Sequence, residues 1–300
     1  MSAVYPPHVP ARATEYAASM LDAPIPGEAE LTAAVHVQPG QTYGFFTDTS
    51  LCIGCKACEV ACKEWNLLPA DAVGLTGQSY DNTGQLSATT WRHVRFIEQG
   101  RATSMRPFQS TWLMMSDVCK HCARAGCLEA CPTGALFRTE FGTVVVQQDI
   151  CNGCGYCVPA CPFGVVELDL NDGKAHKCTL CYDRLKGGLE PACAKACPTN
   201  SIQFGPLEEL QARARGRVES LHDQGVPEAY LYGTPDGPGA TGGIGDLHAF
   251  FLLTDRPEVY NLPAAPTLPS TRVAPGLLAG LATMAGLALT AAVAFGRGRS

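Results

Sequence analysis

The sequence predicts an α+β fold of two pseudo-symmetric ferredoxin-like units, one nested in the other, followed by one apolar helix at the C-terminus. Three observations lead to this prediction. The sixteen cysteines fall into four groups of four with nearly the same spacing. Short segments rich in β-branched and aromatic residues flank turns between the groups, which is typical of hairpins. Residues 273–295 carry no charged side chain.

Each cysteine group ends with a fourth cysteine that follows the third after a gap of three residues. The third group has the bacterial iron–sulfur spacing C-x2-C-x2-C-x3-C-P, whereas one gap is longer in the second and fourth groups. The first group keeps the spacing but is followed by Lys63 in place of proline, which favours a helical turn there. The groups are Cys52/Cys55/Cys58/Cys62, Cys119/Cys122/Cys127/Cys131, Cys151/Cys154/Cys157/Cys161 and Cys178/Cys181/Cys193/Cys197.

Disulfide bonds and zinc are the alternative explanations for these cysteines. Cysteines two residues apart do not easily bridge one another, and here they recur as blocks. Zinc sites are built from pairs of C-x2-C units and do not need a third cysteine at the same step followed by Cys-Pro. The pattern therefore indicates iron–sulfur clusters.

The spacing also predicts which cysteines share a cluster. Three thiolates on a tight loop converge on one [4Fe–4S] cube, and in two-cluster ferredoxins the fourth cysteine ligates the other cluster. We expect groups two and three to exchange their fourth ligands in one ferredoxin-like unit, and groups one and four to do so in a second unit around it. The four expected ligand sets are Cys52, Cys55, Cys58 with Cys197; Cys119, Cys122, Cys127 with Cys161; Cys151, Cys154, Cys157 with Cys131; and Cys178, Cys181, Cys193 with Cys62.

The predicted elements follow the cysteine groups along the chain. We predict an extended arm over residues 1–42 and a four-cluster domain over residues 43–205, with an insertion at 63–118. A strand is expected before the first group and another after the fourth, with hairpins between the second and third groups and between the third and fourth. The expected strands cover residues 45–50, 135–138, 143–146, 165–168, 175–177 and 201–204.

The insertion contains all three tryptophans, Trp65, Trp91 and Trp112. We predict strands at 89–97 and 111–115 and a turn at Gln99-Gly100. Local core packing is the simpler explanation for the tryptophans, and a docking surface for a partner is the alternative.

The C-terminal part is predicted to be a helix and a Gly/Pro-rich extension over 206–272, then a transmembrane helix over 273–295. Leu207, Leu210, Val218 and Leu221 fit one helix face that ends before Gly225. A 23-residue helix would be about 34 Å long, which matches a hydrocarbon core of about 30 Å. A buried or disordered Ala-rich tail is the alternative.

Charge and sequence context predict the surroundings of the protein. The net charge of −6 and the lack of a basic run argue against a nucleic-acid partner. Gly276 and Gly280 suit close packing on another membrane helix. Arg297 and Arg299 favour a cytoplasmic C-terminus, which would place the clusters on the outer face. Residues 1–41 contain no recognisable secretory signal, so we expect any export to depend on a partner.

No nucleophile and base occur in a catalytic pattern, so we predict that the chain has no catalytic site of its own. His121 could donate a hydrogen bond to a cluster, although a loop residue without a special role is the simpler explanation. Several lysines next to cysteines could offset the negative charge of the clusters, although solvated lysines are the simpler explanation. These lysines are Lys56, Lys63, Lys120, Lys177 and Lys195.

The chain resembles the iron–sulfur beta subunits of membrane-bound formate dehydrogenases, which are four-cluster electron-transfer subunits of the molybdopterin oxidoreductase group. The resemblance covers roughly residues 43–295. It is carried by TSLCIGCKACEVACKEWN, CLEACP, CNGCGYCVPACPFG, HKCTLCYDR, EPACAKACP and, beyond the cysteines, TDRPEVY. Nitrate-reductase-type beta subunits have tryptophan in place of one cysteine, whereas all four groups are complete here.

This resemblance implies a relay between two partners. A catalytic (alpha) subunit with a molybdenum or tungsten bis-pterin site would oxidise formate, and a membrane cytochrome b (gamma) subunit would pass the electrons to quinone. The first and fourth groups would lie nearer the catalytic subunit, whose twin-arginine signal would export both chains. Alternatives are the equivalent subunit of another molybdoenzyme or a membrane hydrogenase, and a free-standing polyferredoxin.

Overall fold

A computed structural model of the protein describes residues 37–70, 77, 80–103, 106–240 and 242–297. The predicted arm at 1–42 lies almost wholly outside the described residues. Within the described ranges, four sheets and a set of mostly short helices surround the cysteine groups.

The largest sheet joins the start of the cluster region to the C-terminal extension. Its strand order is β8-β1-β10-β9, with β1 over Tyr43–Asp48, β8 over Ile202–Pro206, β9 over Tyr230–Tyr232 and β10 over Ala249–Leu253. Strand β1 is antiparallel to β8 and parallel to β10. All residues of β1 and β10 are buried, because both are largely apolar runs in the middle of the sheet. The predicted strands near 45–50 and 201–204 are confirmed, and they pair with each other.

The insertion forms a long antiparallel hairpin of β2 (Arg92–Thr103) and β3 (Arg106–Val118). The predicted turn at Gln99-Gly100 is wrong, since these two residues pair with Thr111 and Ser110 inside the ladder. A glycine is tolerated within a strand when the partner strand continues opposite it, as β3 does here.

The two short hairpins between cysteine groups are confirmed. Strands β4 (Leu136–Arg138) and β5 (Val144–Val146) are antiparallel and connect the second group to the third. Strands β6 (Glu167–Leu168) and β7 (Ala175–His176) connect the third group to the fourth and are shorter than expected.

Most helices near the cysteines are single turns. Helix α1 (Ala57–Asn66) carries Cys58 and Cys62 and continues through Lys63, as the missing proline predicts. The others are α2 (Gly126–Glu129), α3 (Cys157–Ala160), α4 (Tyr182–Lys186) and α5 (Ala192–Lys195). Two of these four end directly before a cysteine or a glycine.

Helix α6 (Leu207–Asp223) packs its predicted apolar face on the large sheet. Leu207, Leu210 and Leu221 are buried in one core with Phe46 and Phe250, whose rings stack at 5.3 Å. Gly225 follows the helix with a φ of +85°, which glycine adopts without strain. The extension after residue 206 is therefore part of the same sheet-and-helix layer as β1.

The C-terminal helix α7 (Val273–Arg297) follows two short 3-10 helices, Pro257–Tyr260 and Pro269–Arg272. Among the described residues it belongs to one continuous segment, Pro269–Phe295, that is long and apolar enough to cross a membrane, and none of it is buried by the rest of the chain. It starts beside α2, where the Ser270 hydroxyl donates to Glu129 at 2.6 Å and accepts from Arg124 at 3.3 Å.

Candidate functional site

Three cavities are each lined by four cysteines. Site 1 is lined by Cys52, Cys55, Cys58 and Cys197. Site 2 is lined by Cys119, Cys122, Cys127 and Cys161, and site 3 by Cys131, Cys151, Cys154 and Cys157. In each cavity three cysteines come from one sequence group and the fourth comes from another.

The remaining four cysteines form site 4. Burial raises the pKa of the Cys62 thiol, and the neighbouring Cys178, Cys193 and Cys181 raise it further. All four cysteines are buried. Cys58 and Cys62 lie on the same helix, α1, but they belong to different sites.

A repeated backbone feature shapes the cysteine loops. The residue just before the second cysteine of each group has a positive φ: +67° at Gly54, +45° at His121, +72° at Gly153 and +57° at Leu180. The left-handed conformation turns the chain sharply, so that the flanking cysteines face one cavity. The positive φ at all four positions could not be predicted from the sequence, because only two of the four residues are glycine.

Most of the cysteine side chains are largely removed from water, and some of their sulfurs accept backbone hydrogen bonds. Burial raises the pKa of Cys58 to about 12, against the opposing effect of Arg92, and burial raises the pKa of Cys181 to about 12. Backbone amides point at two sulfurs, since Leu180 N–H donates to Cys178 Sγ at 3.3 Å and Ala175 N–H to Cys151 Sγ at 3.5 Å. Metal binding would release the thiol protons and offset the cost of burying the thiolates.

The residues present fit [4Fe–4S] clusters. Each site offers four thiolates, and the three cavities have mainly apolar walls, which is the environment of iron–sulfur clusters. When bound, such clusters accept and release single electrons. The chain's residues would hold the clusters, exclude water and supply positive charge and hydrogen bonds to the sulfurs.

The four sites form a row. Cys58 of site 1 lies near Cys193 of site 4. Cys178 of site 4 lies near Cys119 of site 2, and Cys127 of site 2 lies near Cys157 of site 3. The order in space is therefore 1, 4, 2, 3. Exposed cysteines occur at the two ends of this row, Cys55 in site 1 and Cys154 in site 3.

Buried cations lie between and beside the sites. Lys177 is 2% exposed and donates to the carbonyl oxygens of Val144 and Cys178. Lys120 is 1% exposed and pairs with Asp117. The expectation that these lysines are solvated is thus wrong for Lys120 and Lys177. The ammonium of Lys120 lies over the rings of Phe163 and Phe251, and that of Lys177 is held by β5 through the Val144 carbonyl. Arg92 is also buried.

His121 is a buried residue and not a free loop residue. Its Nδ1 accepts a hydrogen bond from Val144 N–H at 3.1 Å, and the side chain lines site 2. Burial holds the pKa of His121 well below its usual value, with nearby Lys177 acting in the same direction. Because Nδ1 accepts a hydrogen bond, a neutral imidazole here carries its proton on Nε2.

The tryptophans are divided between packing and surface. Trp91 donates from Nε1 to the Ala88 carbonyl at 2.7 Å and is partly buried. Trp65 and Trp112 are 42% and 39% exposed. Trp65 donates to Asp183 at 2.8 Å and lies 4.2 Å from the Arg184 guanidinium, while Trp112 packs edge-on against Tyr80. Each tryptophan packs locally against its own neighbours, but Trp65 and Trp112 also expose part of their surface to solvent.

Comparisons with known proteins agree with this site. Two families described as 4Fe-4S dicluster domain match residues 51–135 and 110–207. The formate dehydrogenase iron–sulfur subunit of Haemophilus influenzae is 42% identical over 225 residues, covering 74% of this chain and 68% of that protein. The nitrate-inducible formate dehydrogenase iron–sulfur subunit of Escherichia coli K12 is 43% identical over 225 residues, covering 74% and 72%. The B subunit of the anaerobic dimethyl sulfoxide reductase of the same organism is 36% identical over 171 residues, covering 57% and 77%.

Fold and site together define a ferredoxin-type protein with two 4Fe-4S dicluster domains, an electron-transfer subunit of a molybdoenzyme complex. Within that class, the chain belongs to the family of formate dehydrogenase iron–sulfur subunits. Because its relatives are iron–sulfur subunits of formate dehydrogenases, the family implies a catalytic subunit as partner.

Proposed function

We propose that this chain relays electrons from a formate-oxidising catalytic subunit, with a molybdenum or tungsten bis-pterin site, to a membrane cytochrome b subunit and quinone. The observation that carries the proposal is the row of four cysteine sites with an exposed cysteine at each end. A row with two accessible ends suits a relay, whereas a store or a sensor needs one accessible site.

Each site is proposed to hold one [4Fe–4S] cluster on the ligand sets derived from the spacing. The cavities of sites 1, 2 and 3 support the exchange of fourth ligands, because Cys197, Cys161 and Cys131 each line a cavity with cysteines of another group. The same exchange supports a nested arrangement, in which the unit of sites 2 and 3 is inserted into the unit of sites 1 and 4. The four-cluster domain then covers residues 43–205, and the extension at 206–272 completes its sheet.

Apolar surface at both ends of the row supports two docking partners. Around sites 1 and 4, Ile53, Val60 and Leu67 are exposed, and Trp65 on α1 is exposed next to Asp183. Around site 3, Ile150, Tyr156 and Leu170 are exposed. We assign the site 1 end to the catalytic subunit and the site 3 end to the membrane subunit, since the central unit carries the contact from which α7 starts.

Helix α7 is proposed to anchor the complex in the membrane beside the cytochrome subunit. Its exposed apolar side chains and the Gly276/Gly280 pair support a lipid-facing surface with one close helix contact. We propose that the cluster domain lies on the extracytoplasmic face, because Arg297 and Arg299 follow the span. Export would then occur together with the catalytic subunit.

The native complex, purified anaerobically, tests this function. We expect about sixteen irons per copy of this chain, as four [4Fe–4S] clusters, and reduction of an artificial dye by formate. Zinc in place of iron, or a [3Fe–4S] signal in undamaged protein, contradicts the cluster assignment. Full iron content without formate oxidation would instead favour another molybdoenzyme, such as the dimethyl sulfoxide reductases to which the chain is also similar.

Ending the chain after Thr271 is expected to release the complex from the membrane without loss of iron. The physical reason is that α7 buries none of its surface against the rest of the chain, so its removal leaves the core intact. The measurement is the iron content and the share of formate-to-dye activity in the soluble fraction, with a chain ending at Arg297 as the matched control. If the shortened chain stays with the membrane subunit and still reduces quinone, α7 is not the anchor.

A further inference from the structure

Arg92 is a buried cation without a carboxylate partner among the described residues. It is 1% exposed at the start of β2. Its Nη2 donates to Cys193 Sγ at 3.2 Å, and its Nη1 lies 3.3 Å from both the carbonyl oxygen and Oγ of Ser116. The guanidinium carbon lies 4.7 Å from the centre of the Phe45 ring. Each of these partners is either neutral or a cysteine sulfur.

Arg92 contacts the ligands of two different sites. Cys193 belongs to site 4, and Ser116, which Arg92 contacts, places its Oγ 3.2 Å from Cys58 Sγ of site 1. The guanidinium therefore lies at the junction between these two sites, in a region from which water is excluded. Site 2 has different buried cations nearby, since Lys177 lies near Cys127 and Lys120 lies near Cys161.

A charge in the protein interior requires a charge of opposite sign nearby. Here the available negative charge is that of thiolates and clusters in sites 1 and 4. A guanidinium stays protonated at physiological pH, so its charge is the same in every redox state of the neighbouring sites.

We propose that Arg92 is the fixed countercharge of the clusters at sites 1 and 4 and raises the reduction potentials of these two sites above the values that they would have without its charge. This inference rests on the proposed four-cluster function. One electron arriving from the catalytic subunit adds one negative charge to a site. An adjacent positive charge and a hydrogen bond to a ligand sulfur both favour that reduced state. No proton needs to move, because Arg92 keeps its own.

The alternative is a purely structural role, in which Arg92 ties the β2–β3 hairpin to α5. The two roles differ in what the charge does. A structural role depends on the shape and hydrogen bonds of the side chain. A countercharge depends on its positive charge, and its effect on the reduction potential of a site is larger the closer that site lies to Arg92.

Two variants of the full complex separate these roles. Arg92→Gln keeps a hydrogen-bond donor but removes the charge, and Arg92→Lys keeps the charge but removes the planar fork. The matched control is Arg215→Gln, which removes one positive charge from the surface of α6, where Arg215 pairs with Asp236. The potentials are measured by redox titration monitored by electron paramagnetic resonance, after the iron content has been determined.

For Arg92→Gln we expect the equilibrium constant for reduction of site 4 to fall at least tenfold, which is about 59 mV for a one-electron couple. Site 1 is expected to shift in the same direction by less, while sites 2 and 3 and all sites of Arg215→Gln keep their potentials. Arg92→Lys is expected to retain most of the potential of site 4.

Several results would overturn the inference. These are unchanged potentials in Arg92→Gln at full iron content, an equal shift in all four sites, or equal shifts in the Gln and Lys variants. If Arg92→Gln loses iron, Arg92→Lys decides: retained iron and potential support the countercharge, and loss of the same iron shows a structural role. Wild-type protein with fewer than four clusters would instead contradict the proposed function itself.

Discussion

Replacing Cys62 by alanine is expected to remove the cluster held by Cys178, Cys181 and Cys193, and to leave the cluster of the first cysteine group in place. Cys62 belongs to the first group in sequence, but its thiol lies among the cysteines of the fourth group. Site 1 instead takes its fourth cysteine, Cys197, from the fourth group. A cluster at site 4 would lose one of its four covalent ligands, so the whole cluster is at risk.

The measurement is iron content together with spectroscopy that resolves the clusters. We expect about twelve irons in place of about sixteen, loss of the site 4 signal, and a complex that still accepts electrons at site 1 but no longer reduces quinone. Cys131→Ala is the matched variant in the unit of sites 2 and 3. It is expected to affect the cluster of Cys151, Cys154 and Cys157. If Cys62→Ala removes the cluster of Cys52, Cys55 and Cys58 instead, the exchange of fourth ligands is wrong.

Gly153→Ala is expected to remove the site 3 cluster, as is Cys131→Ala. Gly153 has a φ of +72°, and a Cβ at this position would lie well under 3.0 Å from the Gly173 carbonyl oxygen. The obstacle is backbone in the β6–β7 turn, so the cysteine loop or the whole hairpin must move. Movement of the loop shifts Cys151 and Cys154 relative to Cys131 and Cys157, and movement of the hairpin withdraws the Ala175 N–H from Cys151 Sγ. Iron content and the site 3 signal again provide the measurement.

Gly164→Ala is the control for backbone strain. Gly164 also has a positive φ, +62°, but apart from its two chain neighbours no described residue has an atom within 4 Å of a Cβ placed there. It should therefore keep all of its iron and cost only about 1–2 kcal/mol, the penalty of the left-handed conformation. Equal iron loss in both variants would show that strain, and not the contact with Gly173, is responsible.

Local features of the site could be predicted from the sequence. The cysteine spacing determines which thiols share a loop, and the hairpin at 136–146 follows from β-branched residues around a turn. Helix α1 could be predicted from a single substitution, Lys63 for proline. In each case the information lies within about ten residues, where chain geometry limits the possible structures.

Features that depend on distant contacts could not be predicted. Arg92 gains its place at the junction of two sites only because β2 brings it to Cys193, 101 positions further along the chain. The burial of Lys120 and Lys177 also depends on residues far along the chain, namely Phe163 and Phe251 for Lys120 and Val144 for Lys177. The predicted hairpin of the insertion is shorter than the observed one. The local sequence around Gly100 is compatible with either a turn or the interior of a long ladder.

The parallel pairing of β1 with β10 has a consequence for the order of biosynthesis. The Thr49 hydroxyl donates to the Leu252 carbonyl across 203 positions of the chain. At roughly 5–20 residues per second, the ribosome releases β1 on the order of 10–40 s before its neighbour exists. The second and third cysteine groups, by contrast, are complete within residues 119–161. Nascent chains can therefore complete sites 2 and 3 before sites 1 and 4, because the first cysteine group, made by residue 62, lacks the fourth cysteine of site 1 until residue 197 is made.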